Sequence, residues 1–352
     1  HKVLGDVAAH QGHPQETREH YAAALNACQR ALEQPAHTLQ AQRIEILATI
    51  ALADLCNRFG DTREATLLLE RARELAEGTN DVGLRAWTDA GLAGLAAQRG
   101  DPTHGLTLFK QAITQLEAQG DERRAAEIRT RYASLLVQVG QPDVGEREYQ
   151  RSLAQQEQLG DVRGVAVTEG ALAGLFAQQG KPEMAHELYQ KALATMERIG
   201  DVHEAATVRS ALASLVVQLG RPREALALYE AALRAVERLE DRRGQAVIAH
   251  AMATLQRQMG QPQEALALYR RALFGAQQMG DVRGVAIVQH SLAELLSEVG
   301  QPQEALEMEE RALATFERLG DVRASAIARS NLAFLQMQWG DDEAALRLYQ
   351  NA

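Results

Sequence analysis

Apolar residues recur along this chain at three- and four-residue spacing, in runs of about fifteen residues that stop at regular intervals. Within 285–299 they are Val285, Val288, Leu292, Leu295, Leu296 and Val299; within 305–319 they are Ala305, Met308, Ala312, Leu313, Phe316 and Leu319. That spacing places them on one face of a 3.6-residue helix and predicts two amphipathic helices in succession.

The stops between runs are periodic. Glycine stands at 60, 100, 140, 180, 220, 260, 300 and 340, and a second series stands at 120, 160, 200, 280 and 320, with Asn80 and Glu240 in its gaps. Each member of the second series is followed by an acid: Asp81, Asp121, Asp161, Asp201, Asp241, Asp281 and Asp321. Pro102, Pro142, Pro182, Pro222, Pro262 and Pro302 each lie two residues after a glycine of the first series. Glycine takes the left-handed conformation that ends a helix, proline pre-sets the first turn of the next, and aspartate caps a helix N-terminus. The repeated GDVRG at 160–164 and 280–284 therefore reads as a joint: glycine stops one helix, aspartate starts the next, and valine seals the corner. Arg123, Arg163, Arg243, Arg283 and Arg323 form a column, with His203 in its gap. They are expected to pair across the corner with acids six residues earlier, such as Glu117, Glu157, Glu197 and Glu317.

A 40-residue period of this kind signals a solenoid. Seven modules are expected at 41–80, 81–120, 121–160, 161–200, 201–240, 241–280 and 281–320, after an irregular partial repeat at 1–40 and before an incomplete module at 321–352. The chain begins at His1 rather than a methionine and both ends fall inside modules, so it is expected to be a fragment of a larger protein. Ala345, Leu346, Leu348 and Tyr349 would present apolar surface at the C-terminal end, which further chain or a second copy stacking end to end would cover. Tyr21, Tyr149, Tyr189, Tyr229, Tyr269 and Tyr349 share one slot of the second helix, filled elsewhere by Leu69, Phe109 and Glu309, and read as a packing column.

Within each module a shorter pattern recurs. Leu172, Ala173, Gly180, Ala185, Tyr189, Ala192 and Leu193 show it, as do Leu212, Ala213, Gly220, Ala225, Tyr229, Ala232 and Leu233. This resembles the tetratricopeptide repeat, in the long form of spindle-orientation adaptors, kinesin light chains and the sensor arrays of bacterial signal-transduction ATPases. The resemblance spans nearly the whole chain. It departs from the family in its 40-residue unit, against the usual 34, and in Gly-Asp at the joint in place of proline. It implies an all-α, right-handed superhelical solenoid of antiparallel helix pairs. The concave face, lined by first helices, would bind proteins or peptides.

On that resemblance the groove positions of successive first helices include Trp87, Ala90, Gly94, Ala97 and Gln98; Val167, Gly170, Gly174, Ala177 and Gln178; and Thr207, Ser210, Ser214, Val217 and Gln218. Their small size either admits a ligand backbone or simply permits tight curvature. The one-per-module glutamines, Gln178, Gln218 and Gln258 among them, could hydrogen-bond a peptide backbone or merely occupy a helix end. Polarity rises in 241–320, where His250, Thr254, Arg257 and Gln258 are followed by His290, Glu294, Ser297 and Glu298, a candidate docking patch for polar groups of a peptide. The lysine and asparagine clamp of chaperone adaptors is missing from these positions, which argues against chaperone-tail binding.

The net charge of −10 without a basic run argues against nucleic acid and anionic membrane as partners. Aromatics make up only 4% of the chain, so its core must be built from Ala, Leu and Val. Cys28 and Cys56 both sit in apolar helical patterns, which fits a reducing compartment, and a cytoplasmic location is expected. No phosphate loop, nucleophile elbow or zinc-helix motif occurs, and no metal or other cofactor is expected. The leading expectation is a non-enzymatic binding scaffold, the sensor or interaction segment of a larger bacterial regulator. The alternatives are a self-assembling structural module and a regulator that senses a small molecule at 241–320.

Overall fold

The computed structural model describes residues 19–27, 38–58, 62–79, 81–98, 101–319, 321–338, 343 and 345–347. The described chain is helical, with no strand. Residues 19–27 form a helical segment, followed by α1 (Thr38–Arg58), α2 (Thr62–Thr79), α3 (Val82–Gln98), α4 (Pro102–Ala118), α5 (Glu122–Gln138), α6 (Pro142–Gln158), α7 (Val162–Gln178), α8 (Pro182–Ile199) and α9 (Val202–Gln218). Then come α10 (Pro222–Arg238), α11 (Arg242–Gln258), α12 (Pro262–Gln278), α13 (Val282–Glu298), α14 (Pro302–Arg318) and α15 (Val322–Gln338). No helix among the described residues is long and apolar enough to cross a membrane.

The boundaries follow the chemistry of their residues. Asp121, Asp161, Asp201, Asp241 and Asp281 each accept the backbone N–H three residues on, at 2.8–3.2 Å. Asp81 and Asp321 do the same toward Leu84 and Ala324. Of the alternate helices that begin with proline, α4 is capped by Asp101, which accepts His104 N–H at 3.0 Å, whereas the later ones lack a side-chain cap at Gln141, Lys181, Arg221, Gln261 and Gln301. There the proline ring replaces the first orphan donor. Where α13 ends, Gly300 has φ +75° and Gln301 N–H returns to Leu296 C=O at 2.8 Å, a 6→1 bond that closes the helix. Among the described residues Glu240 is the non-glycine residue that takes this left-handed position, with φ +51°. At the second glycine of GDVRG a Cβ would sit 2.7 Å from Asp161 Oδ2, an approach that the cap accommodates by a small shift where Arg124, Glu204 and Ala324 hold the same position.

Two expectations about the joint are corrected. Val162, Val202, Val282 and Val322 are exposed, so the valine seals nothing. It occupies the first helical turn, outside the packed face. The arginine column does not pair with acids six residues earlier. Arg43, Arg163 and Arg283 instead reach Asp81, Asp201 and Asp321, at 3.1, 2.7 and 2.8 Å. These are the capping aspartates of the next first helix, 38 residues on. Glu117, Glu197 and Glu317 are taken by Arg129, Arg209 and Arg329, twelve residues later. The helix bundle places those arginines opposite the acids, whereas the column arginines point along the stack.

The chain divides into two compact units. The first comprises 1–221 with 234–240, and the second 222–233 with 241–352, so α10 is shared out between them. In the first unit each helix from α1 to α9 packs on its sequence neighbours, and each odd-numbered helix also touches the next odd-numbered one. Ile46, Ala65, Ala72 and Leu84 fill one stretch of its core, and Ala93, Phe109, Leu116 and Ile128 the next. Cys56 is buried there. Cys28 lies outside the described residues. In the second unit α11 to α15 pack by the same rule, around Tyr269, Leu292, Leu295, Leu296, Phe316 and Leu332. Nearest-neighbour packing of this kind is what a hairpin that cannot bury its own apolar stripe requires.

The tyrosine slot is buried throughout the described chain: Tyr21, Leu69, Phe109, Tyr149, Tyr189, Tyr229, Tyr269 and Glu309. Tyr349 lies outside the described residues. Ring hydroxyls reach back fifteen residues to the first helix, Tyr149 to Ser134 at 2.8 Å and Tyr269 to Thr254 at 3.0 Å. Burial, with the neighbouring Tyr149 adding to it, pushes the Tyr189 phenol up to about 12.

Candidate functional site

In the first unit the odd-numbered helices line a groove of about 690 Å³. From α1 come Leu47, Ile50, Ala51, Asp54 and Asn57; from α3 Trp87; from α5 Arg123, Arg124, Glu127 and Arg131; from α7 Arg163 and Val167; and from α9 His203 and Glu204. From α3, α7 and α9 the lining residues lie in the first two turns, whereas α1 contributes its middle and C-terminal half, including the buried Ile50. The guanidinium carbons of Arg124 and Arg131 lie 5.7 and 5.8 Å from the Trp87 ring centroid, within cation–π range. Arg131 donates to Glu127 at 3.0 Å, and Arg163 to Asp201 at 2.7 Å. The α1 end is largely apolar and the α9 end charged, with both signs present. Asn57 Oδ1 is buried without a hydrogen-bond partner.

Beneath this groove a polar network crosses three helices. Thr130 Oγ1 lies 2.8 Å from both Ser152 Oγ and Thr168 Oγ1, and Thr168 donates to Gln156 Oε1 at 2.7 Å. All four residues are buried. Satisfied networks of this sort fix the register of neighbouring helices.

In the second unit α11, α13, α14 and α15 bring the polar patch together. His290 Nδ1 lies 2.7 Å from Glu309 Oε1 on α14, and its Nε2 lies 3.6 Å from Glu294 Oε1. Arg257 donates to Glu294 Oε2 at 2.5 Å and stands 3.9 Å from Glu298. Asn331 donates to Glu294 Oε1 at 3.3 Å. His250 Nε2 lies 3.0 Å from Ser291 Oγ, with its ring tilted on Tyr269 at 5.5 Å. Glu309 is fully buried, and its Oε2 has no partner. Burial pushes the Glu309 carboxyl up, with His290 opposing only in part. Burial also works to lower His290, but the hydrogen bond and charge of Glu309, helped by Glu294, outweigh it and raise the imidazole. His250 is lowered, first by burial and then by the nearby His290.

The structure thus assembles His250, Thr254, Arg257, His290, Glu294 and Glu298 into one cluster, with Gln258 exposed at the end of α11 and Ser297 half-buried on α13. Gln178, Ser214 and Gln218 are exposed on α7 and α9 of the first unit, and none lines its groove. Gly174 lies over the packing column: a Cβ there would stand 3.2 Å from the Tyr189 hydroxyl. Of the groove positions expected from the sequence, Trp87 and Val167 line the observed groove. Arg123, Arg163 and His203 of the lining were visible in the sequence as a column expected to form corner ion pairs, whereas Arg124, Arg131, Glu127 and Glu204 carried no signal. Asn331 and Ser291 carried no signal in the sequence. No group of three or more His, Cys, Asp or Glu side chains able to hold a metal occurs among the described residues.

The family model described as "Tetratricopeptide repeat" matches residues 124–198, 204–278 and 283–352, together more than half of the chain. The chain is a tetratricopeptide-repeat protein. A second family model, "Anaphase-promoting complex subunit 5", matches residues 14–88 only. No curated protein matches the chain. Among solved structures, this repeat protein is similar to a Rap protein complexed with competence and sporulation factor, at 15% identity and TM-score 0.62 over 92% of this chain and 99% of that one. It is similar to a signal transduction ATPase with a tetratricopeptide-repeat sensor from Pyrococcus horikoshii, at 16% identity and TM-score 0.61 over 96% of this chain and 53% of that one, so it spans about half of that protein. A third likeness is to BtubC from P. vanneervenii, at 24% identity and TM-score 0.54 over 60% and 89% of the two chains. At these identities the likeness is one of fold. In the tetratricopeptide-repeat frame the observed groove lies on first helices, and the polar cluster of the second unit lies on first helices and one residue of the tyrosine column.

Proposed function

We propose that this tetratricopeptide-repeat chain is a protein- or peptide-binding module, the sensor or interaction segment of a larger regulatory protein of the bacterial type. The observation that carries the reading is the first unit's groove. A 690 Å³ channel lined by five successive first helices is long enough for a peptide segment rather than a small molecule alone. Trp87 offers an aromatic wall, Leu47 and Ile50 an apolar floor, and Asn57 an acceptor left over by the fold. An extended or helical segment with its apolar end toward α1 and its charged end toward α9 fits that gradient. The Rap protein and the ATPase sensor, whose folds are similar, support a regulatory setting.

The test uses the chain's own fluorescence. Trp339→Phe leaves Trp87 as the single tryptophan, and peptides selected by display against the chain are titrated against it. Saturable change in Trp87 emission, with affinity weakened at least about tenfold by Trp87→Ala, is the expected result. Selected peptides that bind Trp87→Ala and Ile50→Ser chains as tightly as the parent would refute the assignment.

A further inference from the structure

The tyrosine slot is fastened differently at 309 than elsewhere. Tyr149 and Tyr269 are tied to their first helices by neutral hydroxyl bonds, to Ser134 and Thr254. Burial raises both phenols, so these ties stay neutral below about pH 10. At 309 the tie is ionisable. Glu309 is wholly buried on α14; its Oε1 meets His290 Nδ1 of α13 at 2.7 Å, and its Oε2 has no partner. The His290 side chain is 20% exposed, so protons reach the pair from water through the imidazole and not through the carboxyl. Its Nε2 faces Glu294 Oε1 at 3.6 Å, and Glu294 is held in turn by Arg257 of α11 and Asn331 of α15. One imidazole therefore stands where four helices are joined.

We propose that His290 and Glu309 form a pH-sensitive latch, which holds α14 against α13 while a proton is shared between them and lets α14 loosen when that proton is lost to water. With the proton in place, Nδ1 and Oε1 are bridged and the buried carboxyl carries no unbalanced charge. Its loss leaves a bare carboxylate beside a neutral imidazole in a dry site, with Glu294 repelling it. A buried charge without a counter-charge is costly enough to drive its side chain toward water. The other groups facing the pair do not take the imidazolium's place. Arg257 is engaged by Glu294 and Glu298, Arg329 of α15 by Glu317, and Tyr269 of α12 by Thr254. His250 of α11 is bonded to Ser291, and burial lowers it. Glu309 and Glu294 hold the His290 proton beyond the ordinary imidazole range, so the folded state binds more protons than the unfolded chain and rising pH opens the latch.

The experiment measures hydrogen exchange by mass spectrometry on the full chain, with rates divided by the intrinsic chemical rate at each pH. Protection of α14 should fall at least about tenfold between about pH 6 and pH 9, relative to α6, the helix that carries Tyr149 in the same slot. Glu309→Gln, which keeps the shape and removes the charge, should abolish that fall, and so should Glu309→Tyr with His290→Ala, which restores a neutral slot. His250→Gln should leave it as in the parent. The His290 Cε1 proton resonance, assigned by its loss in His290→Gln, should titrate over the same pH range and at lower pH in Glu309→Gln. A change in α14 within about twofold of that in α6 overturns the proposal. So does a Glu309→Gln chain that keeps the parent's fall, a His250→Gln chain that loses it, or a fall of equal size in every helix from α11 to α15, which would be unfolding of the whole unit.

Discussion

His290 and Glu309 form a buried pair at the one described position where the tyrosine column carries a charge, with Nδ1 and Oε1 2.7 Å apart. Both groups hold protons more tightly than usual, His290 above 6.5 and Glu309 above 4.5. The sign follows from linkage: where the folded state binds more protons than the unfolded chain, stability falls as pH rises. Glu309 loses its contribution from about 4.5 upward, and His290 keeps its own below about 6.5 and loses it as pH rises through the elevated folded value. His250, lowered by burial, works in the opposite sense, and Arg257, Glu294 and Glu298 are the other charged groups that stand alongside. Urea midpoints of the parent and of His290→Gln with Glu309→Gln, measured from pH 4.5 to 8.5, should diverge in the parent's favour at the acid end. A constant difference across that range would rule this out.

Removing one partner costs more than removing both. His290→Ala leaves Glu309 buried with neither oxygen paired, and a stranded buried charge costs about 3–5 kcal/mol, less whatever protonation of the carboxyl relieves. Adding Glu309→Tyr restores the ring found at Tyr149, Tyr189 and Tyr269, in space the imidazole vacates. The double variant should unfold at higher urea than His290→Ala alone. A double variant weaker than the single would show that the slot cannot take a ring here.

Much of the architecture is written in local chemistry, which is why it was legible. Asp161, Gly160 and Pro182 act within four residues of themselves, so their roles as cap, stop and first-turn residue follow from spacing alone. The slot of Tyr149 and Tyr269 was readable for the same reason, being periodic. The arginine column was misread because Arg163 answers to Asp201, a partner one period away that only stacking brings near. His290 and Glu309 were each conspicuous in sequence, but their contact depends on which face of α14 meets α13. Trp87 marked the groove, whereas Arg124 and Arg131, which flank its ring, did not stand out from other charged surface residues.

Glu240 carries the backbone conformation that glycine holds at the other described joints, and it is exposed. A left-handed L-residue costs roughly 1–2 kcal/mol, partly offset for glycine by greater unfolded-chain entropy. Glu240→Gly should therefore raise the urea midpoint by the equivalent of about 1 kcal/mol, while Gly280→Ala, at φ +64°, should lower it. A neutral or destabilising Glu240→Gly would mean that the glutamate side chain supplies something the backbone account omits.

Asp201 has two tasks, and three variants separate them. Its Oδ1 accepts Glu204 N–H at 3.1 Å as the cap of α9, while Oδ2 accepts Arg163 Nε at 2.7 Å. Arg163 is 42% exposed at its side chain, so solvent screens the pair and Arg163→Ala should cost no more than about 1 kcal/mol. Asp201→Asn keeps an acceptor for the cap and loses the charge, so its cost should match that of Arg163→Ala. Asp201→Ala removes the cap as well, and helix caps contribute about 0.5–2 kcal/mol. The expected order of chemical-denaturation midpoints is therefore parent, then Arg163→Ala together with Asp201→Asn, then Asp201→Ala. Salt should narrow the first gap and leave the second, because screening acts on the ion pair and not on the cap. An Asp201→Asn chain as weak as Asp201→Ala would place the stabilisation in the charge and not in the helix start.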